Sequence, residues 1–219
     1  MVAYLTGDET QILLAQPDSS SYEGYRDMVL LSVLYDTGAR VQELVDIKVK
    51  DVRLTTPAVV TLHGKGNKIR TVPIIGRTAN LMKTYLDKKK YHAGIAKSDN
   101  YLFVNQKQQQ LSCWGISYIL NKYVKMAKNN PEFQVKFPVT PHVLRHSKSM
   151  HLLQSGVNLI YICDFLGHVD CSTTEVYARA DSEMKRKAIE NAYLDLIPDE
   201  IPRWEEDGDL MQWLSDFCK

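Results

Sequence analysis

Residues 140–179 of this 219-residue chain read TPHVLRHSKSMHLLQSGVNLIYICDFLGHVDCSTTEVYAR. Thr140-Pro141 is a helix start, a hydroxyl N-cap followed by proline at the first helical position. His142 and Arg145 then fall three residues apart, so they share one face of the first turn and can address one target. After a break at Gly156, Val157 to Leu166 reads as a second short helix ended by Gly167. His168 stands just beyond it, and Tyr177 follows nine residues later, after a fresh cap in Ser172-Thr173-Thr174. Three groups able to donate hydrogen bonds to an anion, then a tyrosine hydroxyl, are the parts of a phosphoryl-transfer site.

Two upstream stretches add cations. Tyr22 to Tyr35 is a strongly apolar helix, stopped by Asp36-Thr37-Gly38, and Ala39 to Leu44 opens another short helix. Arg40, placed by that glycine turn, presents a rigid fork to phosphate oxygens, and Glu43 three residues on can brace it by a salt bridge. From Lys50 to Pro73 the pattern changes to short β-branched runs, 52–54, 58–62 and 68–72. His63-Gly64-Lys65-Gly66-Asn67 joins the last two as a hairpin with two glycines for positive φ. The GKG element is no nucleotide-binding P-loop, because the GxxxxGK[ST] spacing is absent.

TGAR, the strand-borne GKGNK, HxxR, LGH and TTxxY, in this order, resemble the tyrosine recombinase (phage integrase) family over roughly residues 22–180. The resemblance implies an α+β, mainly α-helical catalytic domain with a small antiparallel β-sheet carrying the lysine hairpin. It implies a site-specific recombinase that cleaves and rejoins DNA through a 3′-phosphotyrosine, for integration or excision of a mobile element or phage. Tyr177 would be the nucleophile and His142 the acceptor of its proton. Arg40 and Arg145 would hold the non-bridging oxygens, and His168 would donate to them as well. Lys65 would protonate the departing 5′ oxygen, with Lys68 the alternative, and Lys68 and Arg70 are candidate DNA contacts. One ester replaces another, so no cofactor, ATP or metal is expected. The implied partners are double-stranded DNA at specific recombination sites and further copies of the chain, as dimers or tetramers on DNA. Two rival functions are a type IB topoisomerase-like relaxing enzyme and a catalytically inactive, integrase-derived DNA-binding protein. Family members commonly carry an N-terminal helical clamp, whereas this chain begins almost directly with the catalytic unit. Either it is a piece of a longer protein or it works without the clamp.

The rest of the chain fits that frame. Its net charge of +1 hides an asymmetry. Removing the eight acids and two cations of residues 195–219 leaves 25 basic and 18 acidic residues, or +7, on residues 1–194. A basic body suits nucleic acid. No apolar run approaches membrane-spanning length, and the N-terminus has neither signal nor transit character, which points to a cytoplasmic protein; the resemblance implies one encoded by a bacterium, phage or mobile element. Four cysteines without a CxxC pair (Cys113, Cys163, Cys171, Cys218) read as reduced thiols. Tyr4 to Ala15 is a helical segment behind a capping box, Thr6 to Glu9. Thr78 to His92 reads as an amphipathic helix with Leu81, Met82, Tyr85 and Leu86 inward and Lys83, Lys88, Lys89 and Lys90 outward. Tyr101 to Val104 reads as a short extended piece, Cys113 to Asn129 as a helix, and 185–196 as another. The domain expectation is a catalytic domain over 1–196 and an acidic tail over 197–219. The tail ends in a short helix with Leu210, Trp213, Leu214 and Phe217 on one stripe, suited to docking in cis or in trans on a neighbouring subunit.

Overall fold

Thr6 starts the first helix in the reciprocal manner its spacing anticipates. Its hydroxyl accepts from the Glu9 amide at 3.2 Å, and its own amide donates to the Glu9 carboxylate at 2.8 Å. The resulting helix, α1, spans Gly7–Leu14 in a computed structural model of the chain that describes residues 3–64, 66, 68–93 and 100–167. These residues all belong to the first of two units, Met1–Asp181 and Ser182–Lys219. The helices expected over 185–196 and 210–217, and the boundary at 196, lie outside the described residues.

Ser21 caps α2 (Tyr22–Thr37), accepting from the Gly24 amide at 3.0 Å. Val29, Leu30, Leu31, Val33 and Leu34 on this helix are completely buried, so α2 is the axle of the domain, packed against both α4 (Gly76–Ala93) and α6 (Pro141–Gln154). Burial of such side chains stabilises the fold by roughly 1.5–3 kcal/mol each. Gly38 ends α2 with φ +55°, in the left-handed region, and α3 (Val41–Asp46) follows. A single 3-10 turn, Val49–Asp51, leads into β1 (Val52–Arg53), β2 (Val59–His63) and β3 (Ile69–Pro73). The three strands form one antiparallel sheet in chain order, with Val60 opposite Val72 and Leu62 opposite Arg70. Val60, Leu62 and Val72 seal one face into the core. The remaining helices are α5 (Cys113–Ala127) and α7 (Leu159–Leu166). The described chain is therefore mainly helical with a small antiparallel sheet, as the sequence implied.

Residues 101–104 carry isolated bridges, Lys48 with Tyr101 and Val104 with Gln110. One expectation needs correction. Lys89 is not on the solvent face of α4. It is 3% exposed and donates to the carbonyls of Tyr101 and Leu102, and burial lowers its ammonium pKa to about 8. Lys89 stands four residues from buried Tyr85 and seven from buried Met82, so it belongs to the inward stripe. A buried cation there closes two backbone acceptors that no strand partner supplies. Cys113 and Cys163 are free thiols, and no helix among the described residues is long and apolar enough to cross a membrane.

Candidate active site

Arg40 is the N-cap of α3, with extended backbone (φ −70°, ψ 151°). Its amide donates to Glu43 Oε2 at 2.7 Å and its Nη1 to Glu43 Oε1 at 2.9 Å. The Arg40 side chain is 42% exposed and that of Glu43 only 3%, so a buried carboxylate holds an accessible guanidinium. Arg70 reaches the same carboxylate from β3 as a two-pronged fork, Nη1 to Oε1 and Nη2 to Oε2, both at 2.8 Å. Burial alone would push the Glu43 carboxyl upward. The hydrogen bonds and charge from Arg70 and the contacts from Arg40 outweigh burial and hold it below the usual carboxylate range.

Arg145 is anchored in the opposite way. Thr140 caps α6, accepting from the Val143 amide at 3.3 Å, and Pro141 opens the helix. One turn in, the Arg145 side chain is 1% exposed. Its Nη1 donates to the Gly38 carbonyl and its Nη2 to the Leu166 carbonyl at 2.7 Å. Gly38 and Gly167 are the left-handed caps of α2 and α7, with φ +55° and +64°. The guanidinium thus sits where the carbonyl ends of two helices converge, each carrying a partial negative charge of roughly half an electron. A Cβ at Gly38 would come within 3.0 Å of Leu166 and 3.3 Å of Phe165, so the close approach of the two helix ends requires glycine. Asp36, just before that end, accepts from Thr78 of α4 and lies 3.6 Å from Lys148 Nζ of α6, which fixes α2 to both neighbours.

His142 is exposed on the first turn of α6, and its ring meets that of His146 edge-on at 4.6 Å between centroids. Burial, then the charges of Arg145 and Arg40, lower the His142 pKa. Burial, His142 and Arg145 push His146 down to about 4. Both imidazoles are neutral at pH 7, so each keeps a ring nitrogen able to accept a proton. His146 escaped the sequence reading, although its spacing of four from His142 puts the two on one face.

The structure brings Arg40, Glu43, His142 and Arg145 to one region. Lys65, His168 and Tyr177 lie outside the described residues. Their described neighbours end close to this region. A Cβ on Gly64 would stand 3.2 Å from Glu43 Oε1, and one on Gly167 would stand 2.9 Å from Arg70 Cδ. Lys68 is exposed just before β3, where its carbonyl accepts from the Gly64 amide at 2.7 Å. Arg70, expected as a DNA contact, is placed differently. Its side chain is 13% exposed, and its Nε donates to the Phe165 carbonyl at 3.1 Å. Strand alternation carried the signal, because Arg70 shares a face with buried Val72. Three arginines against one carboxylate leave the region with a net charge of about +2, suited to a phosphodiester.

The family model described as the phage integrase family matches residues 3–184. The tyrosine recombinase XerD of Staphylococcus epidermidis is 37% identical over 180 residues, which are 82% of this chain and 59% of that protein. The chain therefore spans about three-fifths of the length of such curated relatives. The crystal structure of XerA recombinase superimposes with a TM-score of 0.73 at 28% identity, covering 89% of this chain and 66% of that one. A post-cleavage complex of the XerH site-specific recombinase bound to palindromic difH substrate shares the fold, with a TM-score of 0.72 at 24% identity over 85% of this chain and 52% of that one.

Proposed function

The chain belongs to the phage integrase family, and from that premise we propose that it cleaves and rejoins DNA as a site-specific tyrosine recombinase. The observation that carries the reading is the pairing of an accessible Arg40 with a buried Arg145 beside a neutral His142. Tyr177 Oη attacks the scissile phosphorus while the bond to the 5′ oxygen breaks, giving a 3′-phosphotyrosine and a 5′ hydroxyl. A tyrosine with an ordinary pKa of about 10 is protonated at pH 7, so His142 takes its proton. Arg40, Arg145 and His168 offset the charge that grows on the non-bridging oxygens. Lys65 gives a proton to the leaving oxygen, and Lys68 is the alternative donor.

Double-stranded DNA at a recombination site is the substrate, and copies of the chain assemble on it as dimers or tetramers, with the 197–219 tail as the docking element. The outer face of α5 supports DNA as partner. It carries a stacked, exposed Trp114–Tyr118 pair followed by exposed Lys122, Lys125 and Lys128, a run of ring faces and cations without an acid. Cys113 at its start bonds Gln42 of α3 at 3.2 Å, which ties that face to the helix capped by Arg40. The test uses DNA carrying the junctions of the encoding element, with wild-type protein and Tyr177→Phe, denatured in detergent. A covalent protein–DNA species from wild type alone supports the assignment. An adduct that persists in Tyr177→Phe assigns the wrong nucleophile. Relaxed supercoils without recombinant products would favour the topoisomerase reading instead.

A further inference from the structure

Arg70 is half-buried at a point where three segments meet, and the cleavage chemistry above gives it no task. Its fork occupies both oxygens of Glu43, and its Nε caps the Phe165 carbonyl in the last turn of α7. Gly167 packs on its aliphatic stem so closely that a Cβ would lie 2.9 Å from Cδ. Each partner leads to a reacting group. Glu43 holds Arg40, β3 carries the far end of the Lys65 hairpin, and Phe165 precedes His168 by three residues.

Resting on the strand-cleavage reading, we infer that Arg70 is a positioning residue, which neutralises Glu43 so that Arg40 keeps its guanidinium turned to the phosphate. The count of donors makes the argument. Glu43 Oε1 accepts from Arg40 Nη1 and Arg70 Nη1, while Oε2 accepts from the Arg40 amide and Arg70 Nη2. With Arg70 in place, Arg40 is held through one side-chain nitrogen. Without it, a buried carboxylate with two vacated acceptor sites draws Arg40 into the two-pronged pairing that guanidinium and carboxylate favour. The cation is then turned inward, and its charge is cancelled where phosphate should meet it. Lysine cannot replace Arg70, because one ammonium cannot reach both carboxylate oxygens and the Phe165 carbonyl in a fixed plane.

The test compares wild type, Arg70→Ala, Arg70→Lys and the double variant Arg70→Ala/Glu43→Gln in single-turnover covalent-adduct formation, with DNA affinity and thermal melting measured in parallel. Arg70→Ala and Arg70→Lys are expected to cleave roughly 100-fold more slowly, with DNA affinity held within a few fold. Removing the Glu43 charge from the Arg70→Ala background should restore cleavage about tenfold, a recovery that a merely structural role would not produce. Cleavage at wild-type rate by Arg70→Ala overturns the inference, and so does a loss that the double variant fails to relieve. A wild-type protein that forms no adduct overturns the strand-cleavage reading and the bracing with it, whereas a wild type that cleaves beside an equally active Arg70→Ala overturns the bracing alone.

Discussion

Arg40 and Arg145 carry the same side chain to the same region by opposite means. Arg40 stands in solvent at a helix start, steered by a buried carboxylate. Arg145 is sealed in the core, steered by backbone carbonyls at two helix ends. The difference teaches where each position is encoded. Arg40 takes its direct grip from a neighbour three residues away, and Arg70 acts on it only through that carboxylate. Arg145 depends on Gly38 and Leu166, so its placement is a property of the assembled fold.

That contrast breaks first at Arg145→Ala. The substitution orphans two buried carbonyls and opens a cavity, costing about 3 kcal/mol. Melting should fall by roughly 10 °C, and adduct formation by at least ~100-fold. An Arg145→Ala variant that melts like wild type would show that the carbonyl anchorage contributes nothing. Arg40→Ala should lose a similar factor in cleavage while melting within a degree or two of wild type, since the fork of Arg70 still neutralises the buried Glu43 carboxylate. A large melting change there would erase the distinction between the two arginines.

Acid sharpens the comparison further. His142 and His146 have folded pKa values below their ordinary one, so the unfolded chain binds more protons as the pH falls. Stability is complete above about pH 6.5 and declines toward pH 4, by up to about 1.4 kcal/mol per pH unit for a single histidine. Denaturant melts between pH 7 and 4.5 should show this slope, and His146→Gln should flatten it; an unchanged slope would mean that His146 titrates normally. The smallest effect belongs to the cap. Thr140→Ala should cost about 1 kcal/mol and slow cleavage only modestly, because Arg145 is held from its far end. A cleavage loss matching that of Arg145→Ala would place the anchorage in the cap instead.

Much of this was legible in the sequence where the determinant is local. The Thr6–Glu9 box, the Thr140-Pro141 start, the Gly167 stop and the Glu43 brace each involve residues within four positions of one another. Legibility failed where a polar residue turns inward to meet a distant partner. Lys89 reads as a surface cation because charge usually means solvent, and Arg70 reads as a DNA contact. Their partners, the Tyr101 and Leu102 carbonyls and the Glu43 carboxylate, stand 12, 13 and 27 positions away. In each case the period of the element pointed inward while the residue type pointed outward, and the period was right. The roles of Lys65, His168 and Tyr177 rest on the resemblance and the proposed mechanism.

The bond from Arg145 to Gly38 spans 107 positions of chain. On the ribosome, Arg40 and its brace emerge long before α6 exists to supply the second cation. A chain that ends within α5 therefore carries Arg40 and its brace without Arg145, so the pair of guanidinium groups is completed only when α6 folds back onto the end of α2.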